Sequence, residues 1–187
     1  VVSPVTTNIE NINQPALEPP LPVWSPGWYV IENYAKNVLP LRVTEPGGRE
    51  LRPAQVRKQT WRIDTKGISR VTVEFDYLAN VLSANQARIA PDYAFFTGTQ
   101  LFLLPEGHRS RPSKVRFDAP SGWRIASGLD ETADPMVFTA PEYDTLVDQP
   151  TLMGTFDVTR FTIEGKPHDL VANPAGVFSA EKTRTLI

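Results

Sequence analysis

The sequence contains no cysteine. Disulfides, thiol nucleophiles and thiolate zinc sites are therefore excluded, while the compartment stays open. Histidine is almost as scarce, with only His108 and His168, each beside a turn or strand end. A hydrolytic zinc site draws on histidines and carboxylates, often two histidines one helical turn apart in His-Glu-x-x-His, and neither residue stands in that pattern. Both read as solvent-exposed loop residues. No apolar run approaches the roughly 20 residues needed to span a bilayer as a helix. Neither sign of charge dominates, since 19 Lys and Arg face 21 Asp and Glu for a formal net charge of -2. Nucleic acid and anionic membrane are not expected partners, because both require concentrated positive charge.

Other chemistry is also missing. There is no Gly-x-Ser-x-Gly elbow and no serine beside a plausible base. Gly47-Gly48 and Gly98 lack phosphate-loop spacing and read as turns. Asp144 and Asp148, four positions apart, share one face of a helical turn and would permit acid–base work. The plainer reading is a carboxylate capping a turn or pairing with a basic group.

What is present describes a folded domain. A length of 187 residues suits one domain with a real core, and 41% hydrophobic with 21% charged residues is ordinary globular composition. Proline is abundant, at 18 residues, and crowds the segment Gln14 to Pro26. Each proline removes a donor and pushes its predecessor toward extended geometry, so this segment is expected as an edge strand or extended arm.

The clearest strand is Arg70 to Tyr77, where Val71, Val73, Phe75 and Tyr77 alternate with polar residues and so share one face. Shorter strands are expected at Tyr29 to Glu32, Val38 to Thr44, Thr60 to Asp64, Gln100 to Leu104 and Lys114 to Phe117. Arg124 to Ser127, Met136 to Ala140, Thr155 to Thr162 and His168 to Ala172 complete the set. Turn signals such as Pro46-Gly47-Gly48, Lys66-Gly67 and Glu164-Gly165 separate them. The fold class is all-β, a multi-stranded β-sandwich or saddle-like β domain. Helix is expected only as a single turn at Tyr143 to Val147 and as a truncated helix beginning at Ser179, whose hydroxyl can cap free amides.

Aromatic residues cluster at Trp24, Trp28, Tyr29 and Tyr34, with Trp61 and Trp123 elsewhere. Exposed, they would stack on sugar rings; buried, they would fill a core and send a polar edge to a partner. The core reading is preferred.

The segment Leu21-Pro-Val-Trp24-Ser-Pro26-Gly27-Trp-Tyr29-Val-Ile31, with Asn33-Tyr34-Ala35-Lys36-Asn37-Val38 after it, resembles the opening signature of the M61 glycyl aminopeptidases. Pro26-Gly27 would make a tight turn between strands carrying Trp24 and Tyr29. The likeness continues through Gly48 to Leu51, Lys58 to Trp61, Val71 to Tyr77, Phe95-Phe96-Thr97-Gly98-Thr99 and Ala119 to Trp123. It ends in Tyr143-Asp144-Thr145-Leu146-Val147-Asp148-Gln149-Pro150, so that order and spacing agree over roughly residues 20 to 175. Gln149 stands where the family commonly has a small residue, and Thr7 to Ile12 is a slighter first strand than usual.

The resemblance implies an N-terminal, non-catalytic β domain over residues 1–178, with 179–187 starting a linker helix into a catalytic domain that the chain does not include. Zinc is expected in that catalytic domain and not here. Implied partners are the catalytic domain of the same polypeptide and the peptide substrate, one with a small N-terminal residue such as Gly or Ala. Tyr143, Asp144, Asp148 and Gln149 are candidates for the interdomain or substrate-cleft face, because polar groups there crowd around apolar Leu146 and Val147. The rival readings are an independent carbohydrate-binding or adhesive β-sandwich and a lone hydrolase using Asp144 and Asp148. The start at Val1 rather than Met is compatible with signal removal, an expectation of an exported bacterial protein, periplasmic or secreted.

Overall fold

The computed structural model describes residues 1–177. In chain order the strands begin with β1 (Val2–Glu10), β2 (Ala16–Leu17), β3 (Arg42–Thr44), β4 (Glu50–Leu51), β5 (Ala54–Arg57) and β6 (Thr60–Asp64). Next come β7 (Arg70–Leu78), β8 (Arg88–Ile89), β9 (Tyr93–Thr97), β10 (Ser113–Arg116) and β11 (Arg124–Ser127). The series ends with β12 (Asp130–Glu131), β13 (Val137–Ala140), β14 (Pro150–Gly154), β15 (Asp157–Ile163) and β16 (Lys166–Ala172). Helical structure among the described residues is confined to 3-10 turns at Tyr34–Asn37 and Gly98–Gln100 and one α-helix, α1 (Tyr143–Asp148). The expected helix from Ser179 lies outside the described residues.

The fold is all-β, as composition and turn spacing indicate, and is built from several antiparallel sheets. Two have four strands, in the orders β1-β7-β3-β4 and β11-β14-β9-β8. Two have three, β10-β13-β12 and β2-β6-β5, and β15 pairs with β16 as a hairpin. β7 behaves as its alternation requires: Val71, Val73, Phe75 and Tyr77 are buried while Thr72, Glu74 and Asp76 are half-buried on the opposite face. The proline-rich arm is extended and joins a sheet edge, with Ala16–Leu17 paired to β6 and Pro20 bridging Thr60.

Three expectations fail locally. Residues Tyr29 to Glu32 form no strand, because the chain there is turning, with Tyr29 itself at φ 56°. The expected strand Val38 to Thr44 shortens to β3 because its approach is taken by the Tyr34–Asn37 turn and Pro40. In place of a strand at Gln100 to Leu104, strand β9 ends at Thr97 and a 3-10 turn follows; Gln100 Oε1 accepts the Thr97 amide at 2.8 Å and closes that turn. β1 is longer than the sequence indicated. Its inward positions are Ser3, Val5, Thr7 and Ile9, so only every second one carries an apolar side chain.

One core links four of the five sheets, the β15–β16 hairpin contributing no residue to it. The rings of Phe96, Phe117 and Phe138 form a chain with centroids 5.8 and 5.6 Å apart, tying β9 to β13 through the segment after β10. Tyr77 is fully buried on β7, its hydroxyl accepting a hydrogen bond from Asn37 Nδ2 at 3.0 Å. Burial pushes its pKa up to about 12. A folded-state value above the unfolded value near 10 means that the stabilisation is complete below pH 10 and is lost as pH rises through 12. Tyr77→Phe should therefore flatten alkaline unfolding, removing on the order of 2 kcal/mol of pH dependence between pH 10 and 12, as measured by urea unfolding across that range.

Candidate functional site

The buried segment Thr97–Gln100 is a meeting point within the fold. Three stretches far apart in sequence pack on it. The first is the loop Trp24 to Glu32, whose buried Ser25 hydroxyl lies 2.8 Å from both Thr99 Oγ1 and the Tyr34 hydroxyl. The second is the loop Ser83 to Gln86, joined to β9 where Thr97 Oγ1 donates to the Ala84 carbonyl at 3.2 Å. The third is α1, whose backbone lies so close that a Cβ at Gly98 would sit 2.5 Å from the Leu146 carbonyl oxygen. Only glycine permits that approach.

The aromatic loop is not core throughout, contrary to the preferred reading. Tyr34 and Trp61 are buried as expected, but Trp24, Trp28 and Tyr29 are exposed, Tyr29 to 81%. The local cause is a β-turn in which the Trp28 amide donates to the Ser25 carbonyl, with Pro26 at its first corner and Gly27 at φ 78°. Neither flank is a strand. Trp24 and Tyr29 pack on each other at 5.8 Å with planes tilted by 43°. That tilt denies a sugar ring one continuous flat platform.

Glu32 closes the loop. Its Oε1 accepts hydrogen bonds from Trp28 Nε1 at 3.1 Å and Asn85 Nδ2 at 2.8 Å, and its Oε2 accepts one from Gln86 Nε2 at 3.2 Å. These are neutral donors, and no Lys, Arg or His pairs with this carboxylate among the described residues. Sequence reasoning passed over Glu32. A signal existed, since it is the lone charged residue between Glu18 and Lys36 in a run rich in aromatics.

The four candidates on and after α1 separate into different roles. Tyr143 is buried and donates to the Phe102 carbonyl at 2.6 Å, and burial raises its pKa strongly. Asp144 is held by Arg109, with Nη2–Oδ1 at 2.8 Å and Nε–Oδ2 at 3.1 Å. Both oxygens of this carboxylate are thus engaged by one guanidinium fork. Gln149 folds against Gly128, where a Cβ would overlap its amide oxygen. Asp148 is exposed and makes neither an ion pair nor a side-chain hydrogen bond among the described residues. Of the four, it is the one presented outward without an internal task.

The histidines do not suit a metal. His108 is half-buried rather than fully exposed, its ring nitrogens 2.9 Å from the carbonyls of Glu106 and Glu10, so it fastens a turn to the end of β1. His168 lies within β16, exposed, its ring stacked on Phe161 at 5.5 Å and its Nδ1 2.9 Å from the Lys166 carbonyl. Among the described residues no three His, Asp or Glu side chains gather as a metal cluster.

The model of the peptidase M61 N-terminal domain matches residues 2–155. The chain belongs to that family. The matched M61 region takes in every strand through β14 and stops just before the β15–β16 hairpin. A crystal structure of an aminopeptidase N family protein from Idiomarina loihiensis is similar to this M61 domain, with a TM-score of 0.84 and 30% identity. The alignment covers 91% of this chain and 30% of that one, so the domain spans about a third of the solved relative's length. None of the curated proteins matches it.

Proposed function

We propose that this domain is the non-catalytic N-terminal part of a zinc metallo-aminopeptidase of the glycyl aminopeptidase type, where it packs on the catalytic domain and walls one side of the peptide cleft. The observation that carries this reading is convergence. Three segments that carry the family resemblance, Trp24 to Tyr34, Phe95 to Thr99 and Tyr143 to Pro150, are separated by tens of residues in sequence yet meet around Thr97–Gln100. Zinc belongs, on this reading, to the catalytic domain.

Exported bacterial localisation and preference for a small N-terminal Gly or Ala are further parts of the proposal. A carbohydrate-binding module ranks second: exposed Trp24, Trp28 and Tyr29 favour it, and the 43° tilt between Trp24 and Tyr29 weighs against it.

Asp148 tests the cleft role. In the full-length enzyme Asp148→Ala should lower kcat/KM for peptides roughly fivefold while leaving zinc content and thermal stability unchanged. Unchanged kinetics with a lowered melting temperature would assign Asp148 to the scaffold.

A further inference from the structure

We propose that the groove between β1 and β10 takes an extended acidic segment of a partner protein, which adds as a strand to the open edge of β1. The groove has a volume of about 810 Å³ and is lined by residues 3–11, nearly all of β1, and by residues 111–118, which include β10. β1 is an outer strand of its four-stranded sheet and β10 an outer strand of its three-stranded sheet. Among the described residues no strand pairs with the free side of either, so two sheet edges border one space.

The pairing pattern tells which backbone groups are left over. The Ala79 amide donates to the Val1 carbonyl at 3.1 Å, and the register sets Ser3, Val5, Thr7 and Ile9 opposite Tyr77, Phe75, Val73 and Val71. Antiparallel alternation therefore turns the N–H and C=O of these odd positions toward β7 and those of Thr6 and Asn8 away from it. Two observations agree. Glu10, an even position, offers its carbonyl to His108 Nε2 at 2.9 Å, and Pro4, which has no N–H, stands where no ladder bond is lost. Counting likewise from the Phe117 amide, which donates to the Met136 carbonyl at 2.9 Å, Lys114 and Arg116 turn their backbone groups away from β13.

An open edge invites pairing with another chain unless it is blunted. Pro4 blunts one position only, and the Asn8 side chain accepts from Thr72 Oγ1 at 2.8 Å rather than folding over the edge. Buried Leu101, Leu103 and Leu146 supply apolar lining for alternate side chains of an added strand. Charge decides the chemistry of the partner. The two carboxylates that line the groove are already matched, Glu10 by Arg70 at 3.1 Å and Asp118 by Arg116 at 3.2 Å. Arg111 and Lys114 are exposed and pair with no carboxylate among the described residues. The unmatched charge is thus positive, in a chain whose net charge is -2, and carboxylates on an incoming strand complement it. The proposal does not depend on the aminopeptidase reading.

The test uses the full-length protein and a fluorescent hexapeptide of alternating glutamate and valine, acetylated and amidated at its ends so that it carries no free amine. Fluorescence anisotropy should show saturable binding, weakened about fivefold in Lys114→Gln and in Arg111→Gln, both at exposed positions. Methylating the amide nitrogens of either the valines or the glutamates keeps the side chains and removes strand-pairing donors, and at least one of these two peptides should bind roughly tenfold more weakly. Thr6→Pro, which removes an outward N–H and no bond to β7, should weaken binding of the unmethylated peptide. Absence of saturable binding overturns the proposal, and a concentration-dependent dimer in sedimentation would then assign the edges to a second copy of the chain. Equal affinity for the glutamate peptide and its glutamine counterpart, or for the unmethylated and both methylated peptides, overturns it as well.

Discussion

Gly98→Ala should destabilise the domain by about 3 kcal/mol or more, lowering its melting temperature by roughly 6 to 12 °C. The new methyl would stand 2.5 Å from the Leu146 carbonyl oxygen, 2.7 Å from Val147 Cα and 3.0 Å from the Phe102 ring. The first two are backbone atoms of α1, which cannot rotate aside as a side-chain tip can. Either the helix moves off or the 3-10 turn does. Moving the turn also drags Thr99, and with it Ser25 and the aromatic loop. On the aminopeptidase reading proposed above, kcat/KM of the full-length protein for peptides should therefore fall further than stability alone explains, at temperatures where the protein remains folded. Thermal unfolding and steady-state kinetics on the same preparation check both parts. A melting temperature within 2 °C of the wild type would mean that the segment yields easily and is no anchor.

Phe117→Ala should cost about 3 to 5 kcal/mol, with no selective effect on substrate affinity. Phe117 is buried and is the middle ring of three, contacting Phe96 of β9 and Phe138 of β13. Truncation removes the transfer energy of the ring and leaves a cavity between sheets, which cannot close without breaking strand pairing. Phe117→Leu, closer in volume, should cost less than about 1.5 kcal/mol. Denaturant unfolding of the pair distinguishes packing loss from any polar role, because the two differ only in filled volume. Near-equal destabilisation would show that the three-ring chain does not join the sheets energetically.

Legibility in the sequence followed how local each determinant was. β7 was readable because four apolar residues alternate without interruption, and β6 and β11 fall where expected, at Thr60–Asp64 and Arg124–Ser127. β1 was hard to read because Thr7 and Ser3 dilute its inward face and Pro4 interrupts it. Its partner β7 lies some sixty residues on, and the register Val5 opposite Phe75 is a tertiary fact. At the site, Tyr143 to Gln149 was found as a mixed polar and apolar turn. Nothing local, however, showed that Tyr143 points inward, that Asp144 meets Arg109 or that Gln149 lies on Gly128. Each of those depends on a residue from another element.

By itself, then, the sequence determined the all-β class and the M61 N-terminal family, since periodicity and ordered motifs are properties of the chain in one dimension. Tertiary structure alone decided that three segments of the family resemblance meet around Thr97–Gln100, and that Trp24, Trp28 and Tyr29 face outward while Tyr34 is buried. It also placed Glu32 among neutral donors from two loops. The reason is physical: burial and hydrogen-bond partnership are set by which distant backbones come within a few ångströms, and a glycine at position 98 that lets two of them touch looks, in sequence, like any other turn.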